Sequence, residues 1–468
     1  MASRHLKIAL LAGSLSVTGC ANLAPLYQQP ETTIPAEIPS APTGIAIDSP
    51  LAWDQVFLSE NLRDLIGIAL EENRDLRITA ANIEIARAQY NIAQSSLLPN
   101  ASISGNLTEG GRFGHSGANT SAFRDSALFQ LGVTGFELDF FNRVRNQNEA
   151  TFQSYLATVE GERAARIALI ASVAELWVRL ATDRELLALA EDTVDIQSDS
   201  LSLTQELLRA GVATELDTRR ASASVENARA QAAQFEAQIR QDLNALRLVV
   251  GTELPSYIEG SAALTPSPVE LLVPGNISSE VLLNRPDVMA AERNLAAANA
   301  NIGAARAALF PTISLSGRVG YSSSDLENFF SNDIAGWTFG PSLDLPIFDY
   351  GARQNRIAVT EAQKEQAIAR YQLAIQTAFR ETADALAITE TIDTRLNALE
   401  RLSEDADVTL NLSQERFRVG VDDYLSVLDA QREDYSARQQ LILARRDRAL
   451  NAIALYRALG AAPSAESE

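Results

Sequence analysis

The sequence predicts a mixed α/β protein made by internal duplication, in which long helical hairpins of coiled-coil type carry paired β-strands that, if they enter a membrane, only further chains can complete into a barrel. Three observations predict it. Matching segments recur in the same order about 210 residues apart, which marks a duplication. Proline-free stretches of about 65 residues follow in each copy, and at about 1.5 Å per residue such a helix would run about 95 Å. Each copy also holds one stretch of strand-like alternation that turns back on itself.

The 468 residues would fill two to four ordinary domains, at about 100–200 residues each, or one elongated one. With 46% hydrophobic and 21% charged residues the chain is not disordered. Sixty acidic against 39 basic residues, a net charge of −21, argue against a nucleic-acid binder, which gains affinity by neutralising phosphates. Cys20 is the single cysteine and His5 and His115 the two histidines, so no four-ligand thiolate or thiolate–imidazole metal site can be assembled within one chain.

Residues 1–19 read as a signal peptide: basic MASRHLK, apolar IALLAGSLSV and a small-residue stop ending at Cys20. Residues 20–60, with Pro25, Pro30, Pro35, Pro39, Pro42 and Pro50, read as an extended tether. The first repeat, 61–270, opens with Leu65, Leu70, Leu76, Ile83, Ala86 and Ile92 on one face, which predicts a single amphipathic helix ending at Leu97-Leu98-Pro99. A β-hairpin over 100–141 follows, with Ile103, Gly105 and Leu107 leading out and Leu131, Val133 and Gly135 leading back. Long helices over 145–209 and 214–249 are separated by Gly211.

The second repeat, 271–460, follows the same plan. Pro286-Asp287 matches Arg74-Asp75, and Leu309-Phe310-Pro311 matches Leu97-Leu98-Pro99. A hairpin over 312–348 alternates through Ile313, Leu315, Gly317, Val319 and Tyr321, and returns through Phe339, Pro341, Leu343 and Leu345. Helices over 353–418 and 424–459 break at Gly420, and residues 461–468 form a flexible tail. Alanines such as Ala221, Ala228 and Ala232 let neighbouring helices approach closely.

Four strands cannot close a barrel, since spanning barrels begin at about eight. A strand left unpaired in lipid costs several kcal/mol for each unsatisfied backbone group, so if these strands enter a membrane several chains must contribute to one barrel; two, three or four would all close. Phe113, Phe123, Phe129, Tyr321, Phe329, Phe330, Trp337 and Phe339 suit an aromatic belt at a lipid interface, and equally a sheet core. Trp177 reads as packing and His115 as a surface residue. No phosphate loop, HExxH, G-x-S-x-G or C-x-x-C is present, and carboxylate pairs such as Glu191-Asp192 lie on helices without a cleft, so no catalytic residue, cofactor or metal ligand is assigned.

Two features draw a functional reading. Leu425, Asp429 and Arg432 share one helical face just after Gly420, and around a symmetry axis they would form rings of Leu, carboxylate and guanidinium able to block or select ions. Asp429 and Arg432 could pair with each other or with Asp422 and Asp423; a solvated face would have the same spacing. Gly211 and Gly420 can adopt the positive φ that reversing one helix into another requires.

Val17-Thr18-Gly19-Cys20 resembles the bacterial lipobox, which implies acylation of Cys20 through N-acyl and diacylglyceryl groups. Ala21 stands where an inner-membrane retention signal would place Asp, so the resemblance points to the outer membrane. Over nearly all of the mature chain, LRITAANIEIARAQYNIAQSSLLP, FELDFFNR, RPDVMAAERNLAAANANIGAARAALFP, LDLPIFDYG and ERFRVGVDDYLSVLDAQRE together resemble the TolC-type outer-membrane factor family, in its lipoprotein branch serving RND-type tripartite pumps.

That resemblance implies a homotrimer in the outer membrane of a Gram-negative bacterium. It would carry a twelve-stranded β-barrel and a long α-helical barrel in the periplasm, forming a passive exit duct for drugs or other small toxic compounds. An inner-membrane RND-type transporter and a periplasmic adaptor would deliver them. It also implies a periplasmic gate at Leu425, Asp429 and Arg432, and adaptor contacts at the tips through Gly211, Val212, Thr214, Gly420, Val421 and Asp422. Asp139, Asn142, Pro346 and Gly351 would mark the barrel-to-helix junctions. Phe136 and Asn142 depart from the family's usual Trp and Gly, which is expected to alter a turn there. The alternative is an outer-membrane-anchored periplasmic coiled-coil adaptor or structural lipoprotein without a channel.

Overall fold

The computed structural model describes residues 21–31, 34–35, 38, 52–108, 126–270, 279–323 and 335–460. The signal segment with Cys20, the loop residues Phe113, His115, Phe123, Phe329 and Phe330, and the tail 461–468 lie outside the described residues. The main elements are α1 (Glu60–Glu72), α2 (Arg74–Ser95), β1 (Ala101–Thr108), β2 (Ser126–Glu137), α3 (Arg143–Arg209), α4 (Glu215–Val250), α5 (Pro286–Ala307), β3 (Thr312–Ser323), β4 (Ala335–Asp344), α6 (Ala352–Arg418) and α7 (Tyr424–Ala458). They fall into two compact units: Met1–Glu31, Asn82–Val159 and Ala290–Tyr371 form one, and Thr32–Ala81, Glu160–Met289 and Gln372–Glu468 the other.

The first unit contains the sheet, four antiparallel strands in the order β1-β2-β3-β4. Its register lines up side chains of one kind on each face. Ile103, Leu131, Val319 and Trp337 form one cross-strand row, and Gly105, Phe129, Tyr321 and Ala335 the next, all on one face. The alternate rows carry Ser104, Gln130, Gly320 and Gly336, and Ser102, Gly132, Arg318 and Thr338. Period-two alternation therefore gives an apolar face and a polar face across all four strands.

A bulge between Val133 and Phe136 shifts the register, with Gly135 at φ 69 and its N–H donating to Ser316 Oγ at 2.9 Å. Only glycine takes that φ without a Cβ penalty, which is why the alternation breaks there. Pro341, which cannot donate to a ladder, sits on the edge strand β4. Within the chain β1 and β4 each pair on one side alone, leaving both edges open for other copies.

Also in this unit, Ala150 of α3 packs on Ala297 and Ala300 of α5, the close helix approach that small residues permit. The segment from Ala21 is strapped alongside: Ala21 N donates to Phe140 O at 3.2 Å, Asn146 Nδ2 to Asn22 Oδ1 at 3.0 Å, and Asn299 Nδ2 to Pro25 O at 2.8 Å.

The second unit is built on a large apolar core. Leu62, Leu65, Ile66 and Ala69 of α1 meet Val173, Trp177 and Leu180 of α3, Leu246 and Val250 of α4, and Ile453 and Tyr456 of α7. Trp177 is fully buried there. Burial of this kind supplies the main driving force, at about 25 cal/mol per Å² of apolar surface.

The single helix expected from residue 61 to Leu98 is two helices. Asn73, with ψ 130, leaves the helical region between α1 and α2. Its side chain makes the break stable, since Oδ1 caps α2 by accepting from Leu76 N at 2.8 Å while Nδ2 donates to Val249 O at 2.6 Å. The apolar periodicity runs through the break and conceals it.

Candidate functional site

The turns between the long helices are built alike. Arg143 and Ala352 open two helices of 67 residues, so counterparts lie 209 residues apart from there on. In the first turn Val212 N donates to Leu207 O at 2.9 Å and Gly211 N to Leu208 O at 3.0 Å; in the second Val421 N donates to Arg416 O and Gly420 N to Phe417 O, both at 2.9 Å. This pairing satisfies the last helical carbonyls and needs a left-handed residue, supplied by Gly211 at φ 78 and Gly420 at φ 77.

Each next helix starts on a side-chain cap. Thr214 accepts from Asp217 N and Asp217 returns a carboxylate to Thr214 N at 3.1 Å; Asp423 accepts from Ser426 N at 3.1 Å. Hydrogen bonds from Thr214 hold the Asp217 carboxyl below the usual range. The second turn adds a bidentate pair, Arg416 Nε and Nη2 on Asp422 at 2.6 and 2.9 Å, which holds the Asp422 carboxyl low. Val212, Val419 and Val421 are exposed on these turns.

On α7, Leu425 is 46% exposed. Asp429 and Arg432 are exposed too, with Arg432 Nη1 3.9 Å from Asp429 Oδ1. The opposite face is packed: Tyr424, Val427 and Leu428 are buried, and Gln431 donates to Ser200 Oγ at 3.0 Å. Leu425, Asp429 and Arg432 thus share the unpacked face of α7. Asp422 and Asp423, considered as partners for Arg432, are occupied by Arg416 and by the helix cap respectively.

About two turns further along α7, Arg438 gathers carboxylates from three helices: Asp434 at 3.1 Å, Asp407 at 2.7 Å and Asp192 at 3.5 Å. Burial raises the Asp434 carboxyl. Sequence reasoning missed this hub, because its members are scattered over 246 residues.

At the junctions, Asn142 takes the left-handed conformation with φ 56 and accepts from Arg145 Nη1 at 3.0 Å. Asn tolerates that region better than other non-glycine residues, so the turn is made without glycine. Asp139 Oδ2 accepts from Arg145 N at 2.9 Å, at the start of α3. The start of α6 uses Asp349, which accepts from Gly351 N and Arg353 N, both at 3.1 Å, with Gly351 at φ 82 and Pro346 O accepting from Arg353 Nη2. Asp349, rather than the expected Pro346, supplies the carboxylate at this junction.

Among the described residues no cluster of His, Cys, Asp and Glu could hold a metal ion, and no helix is long and apolar enough to cross a membrane. The outer membrane efflux protein family matches residues 65–252 and 277–461. The chain is 40% identical over 457 residues to the solvent efflux pump outer membrane protein SrpC of Pseudomonas putida, covering 95% of this chain and 96% of that one. It is 36% identical over 461 residues to the antibiotic efflux pump outer membrane protein ArpC of Pseudomonas putida, covering 96% and 94%. The crystal structure of the open state of the Neisseria gonorrhoeae MtrE outer membrane channel superposes with a TM-score of 0.86 at 35% identity, covering 94% of this chain and 98% of that one. The chain belongs to the outer membrane efflux protein family: it is a TolC-type channel component of an RND-type tripartite efflux system, a non-catalytic conduit whose four-stranded sheet is completed by trimerisation.

Proposed function

We propose that this chain is the lipid-anchored exit duct of a pump for small toxic organic compounds, gated by rings of Leu425, Asp429 and Arg432 and docked to its periplasmic adaptor by the two tip turns. The observation that carries the duct is the two-faced sheet, apolar along Ile103, Leu131, Val319 and Trp337, polar on the reverse, and open at both edges. A barrel closed from such sheets turns its apolar face to lipid and its polar face to water.

The anchor at Cys20 is supported by the Ala21 amide, which is tied to Phe140 just beyond β2. Docking is supported by the exposed Val212, Val419 and Val421 on turns that are otherwise rigidly capped. Solvents and antibiotics named for SrpC and ArpC favour apolar organic cargo over metal ions.

The test compares neighbours on β2. Leu131→Arg should destabilise the reconstituted trimer by about 2–4 kcal/mol, the cost of a cation at the lipid midplane, whereas Gln130→Arg should leave it folded and change ion selectivity. Asp429→Ala should raise single-channel conductance, and the mature N-terminal peptide should carry acyl mass at Cys20. Equal tolerance of the two arginines, with no conductance from a water-soluble particle, would establish the adaptor reading instead.

A further inference from the structure

In the first unit, Asn22–Tyr27 roof a cavity of about 580 Å³ over α3 and α5. Its floor is rich in acceptors. Asn299 is 5% exposed and lines the cavity, and its Oδ1 accepts no hydrogen bond. The amide cannot be turned over, because Nδ2 already donates to the carbonyl of Pro25 at 2.8 Å. Gln153 repeats the pattern: Nε2 donates to Glu149 Oε1 at 2.8 Å, which leaves a buried Oε1 without a donor.

The carboxylates of Glu149 and Glu292 line the same space, against one cation, Arg293. Tyr27 donates to Glu292 at 3.4 Å, and burial lifts its hydroxyl to about 12, so it remains a donor. Buried acceptors without donors are costly unless a ligand or water satisfies them. Two fixed amide oxygens beside two carboxylates call for a group with several N–H donors and a positive charge.

The place identifies the source of that group. The residue before the roof, Ala21, is bonded to Phe140 three residues past the end of β2, and Leu138 N continues the sheet by donating to Ile313 O at 2.7 Å. Exposed Leu26 and Phe140 give the neighbourhood an apolar border.

We propose that this cavity holds the primary ammonium headgroup of phosphatidylethanolamine from the periplasmic leaflet, pinning a lipid beneath the N-terminal strap. The proposal rests on the reading of the sheet as a membrane wall.

The test uses the full-length trimer purified in mild detergent, with bound lipid counted by native mass spectrometry after exposure to phosphatidylethanolamine, phosphatidylcholine or phosphatidylglycerol. The ethanolamine lipid should be retained about tenfold over the choline lipid, whose ammonium has no N–H, and over the anionic glycerol lipid. Glu149→Gln with Glu292→Gln should abolish that preference while the trimer mass and conductance persist; Asn299→Leu should weaken retention in the same order. Equal retention of the three lipids by the unaltered protein overturns the proposal, as does an unchanged preference in the double variant. Glycerophosphoethanolamine binding as tightly as the whole lipid would overturn the membrane source. Loss of conductance in the unaltered protein would instead count against the channel itself, which keeps the two failures apart.

Discussion

The two copies of the repeat close on themselves at the same place with different groups. In the first, Asn73 Nδ2 donates to Val249 O near the end of α4; in the second, Arg285 Nη1 donates to Ala458 O at the end of α7, at 2.6 and 2.9 Å. Beside each lies a left-handed glycine, Gly251 at φ 84 and Gly460 at φ 80, where a Cβ would press on Glu72 or on Arg285. The geometry asks only that a donor reach the last carbonyls of a helix. Neutral Asn does this alone, whereas buried Arg285 also needs Asp287 at 2.8 Å and Glu381 at 2.9 Å to balance its charge.

That difference sets the largest expected effect. Arg285→Ala should cost about 3–5 kcal/mol, because it strands two carboxylates beside a buried site, while Asn73→Ala should cost about 1–3 kcal/mol for one lost donor and one lost cap. Chemical unfolding of the two variants measures this directly. Equal losses would mean that the copies are energetically equivalent at their closures.

A second contrast lies within the same bundle. Asp183 and Asp242 of the first copy correspond to Ile392 and Asn451 of the second. Asn451 Nδ2 donates to Ala385 O at 3.1 Å and to Thr389 Oγ1 at 2.8 Å. Asp242, 2% exposed, takes Arg179 at 3.1 Å on one oxygen, and burial together with the Asp242 carboxylate pushes Asp183 up to about 7. The folded protein therefore holds a proton that the unfolded chain, with Asp near 3.9, releases earlier. Stability from this pair is full below about pH 4 and declines as pH rises to about 7. Asp183→Asn should flatten the melting temperature over that window, and a slope that survives the substitution would assign it to other groups.

The sequence makes the repeats, the strand alternation and the tip glycines legible because each depends on local pattern: Gly211 and Gly420 need positive φ whatever surrounds them, and Pro99 and Pro311 stop helices unaided. The break at Asn73 was invisible for the opposite reason, since its partner Val249 is 176 residues away and the apolar stripe continues through it. The ion pairs of Arg285 with Glu381 and of Arg438 with Asp407 and Asp192 were invisible in the same way, because those carboxylates lie 31 to 246 residues away on other helices. At the candidate gate, Leu425, Asp429 and Arg432 could be placed on one face from spacing alone, but the packing of the reverse face through Gln431 and Ser200 required coordinates.

The smallest expected effect separates the tip turns, which share a backbone path but differ in what fastens it. Thr214 and Asp217 close the first turn through a reciprocal cap, so Thr214→Ala should cost about 1 kcal/mol at any ionic strength. The second turn has its own cap at Asp423 and adds the exposed Arg416–Asp422 pair, which mobile ions screen. Raising salt should therefore speed amide exchange at Val421 and Asp422 while leaving Val212 and Ala213 unchanged, and Arg416→Ala should produce the fast rate at low salt. Acid that protonates Asp422 should act in the same direction. If salt loosens both turns alike, the ion pair is not what fastens the second, and the two tips are mechanically the same.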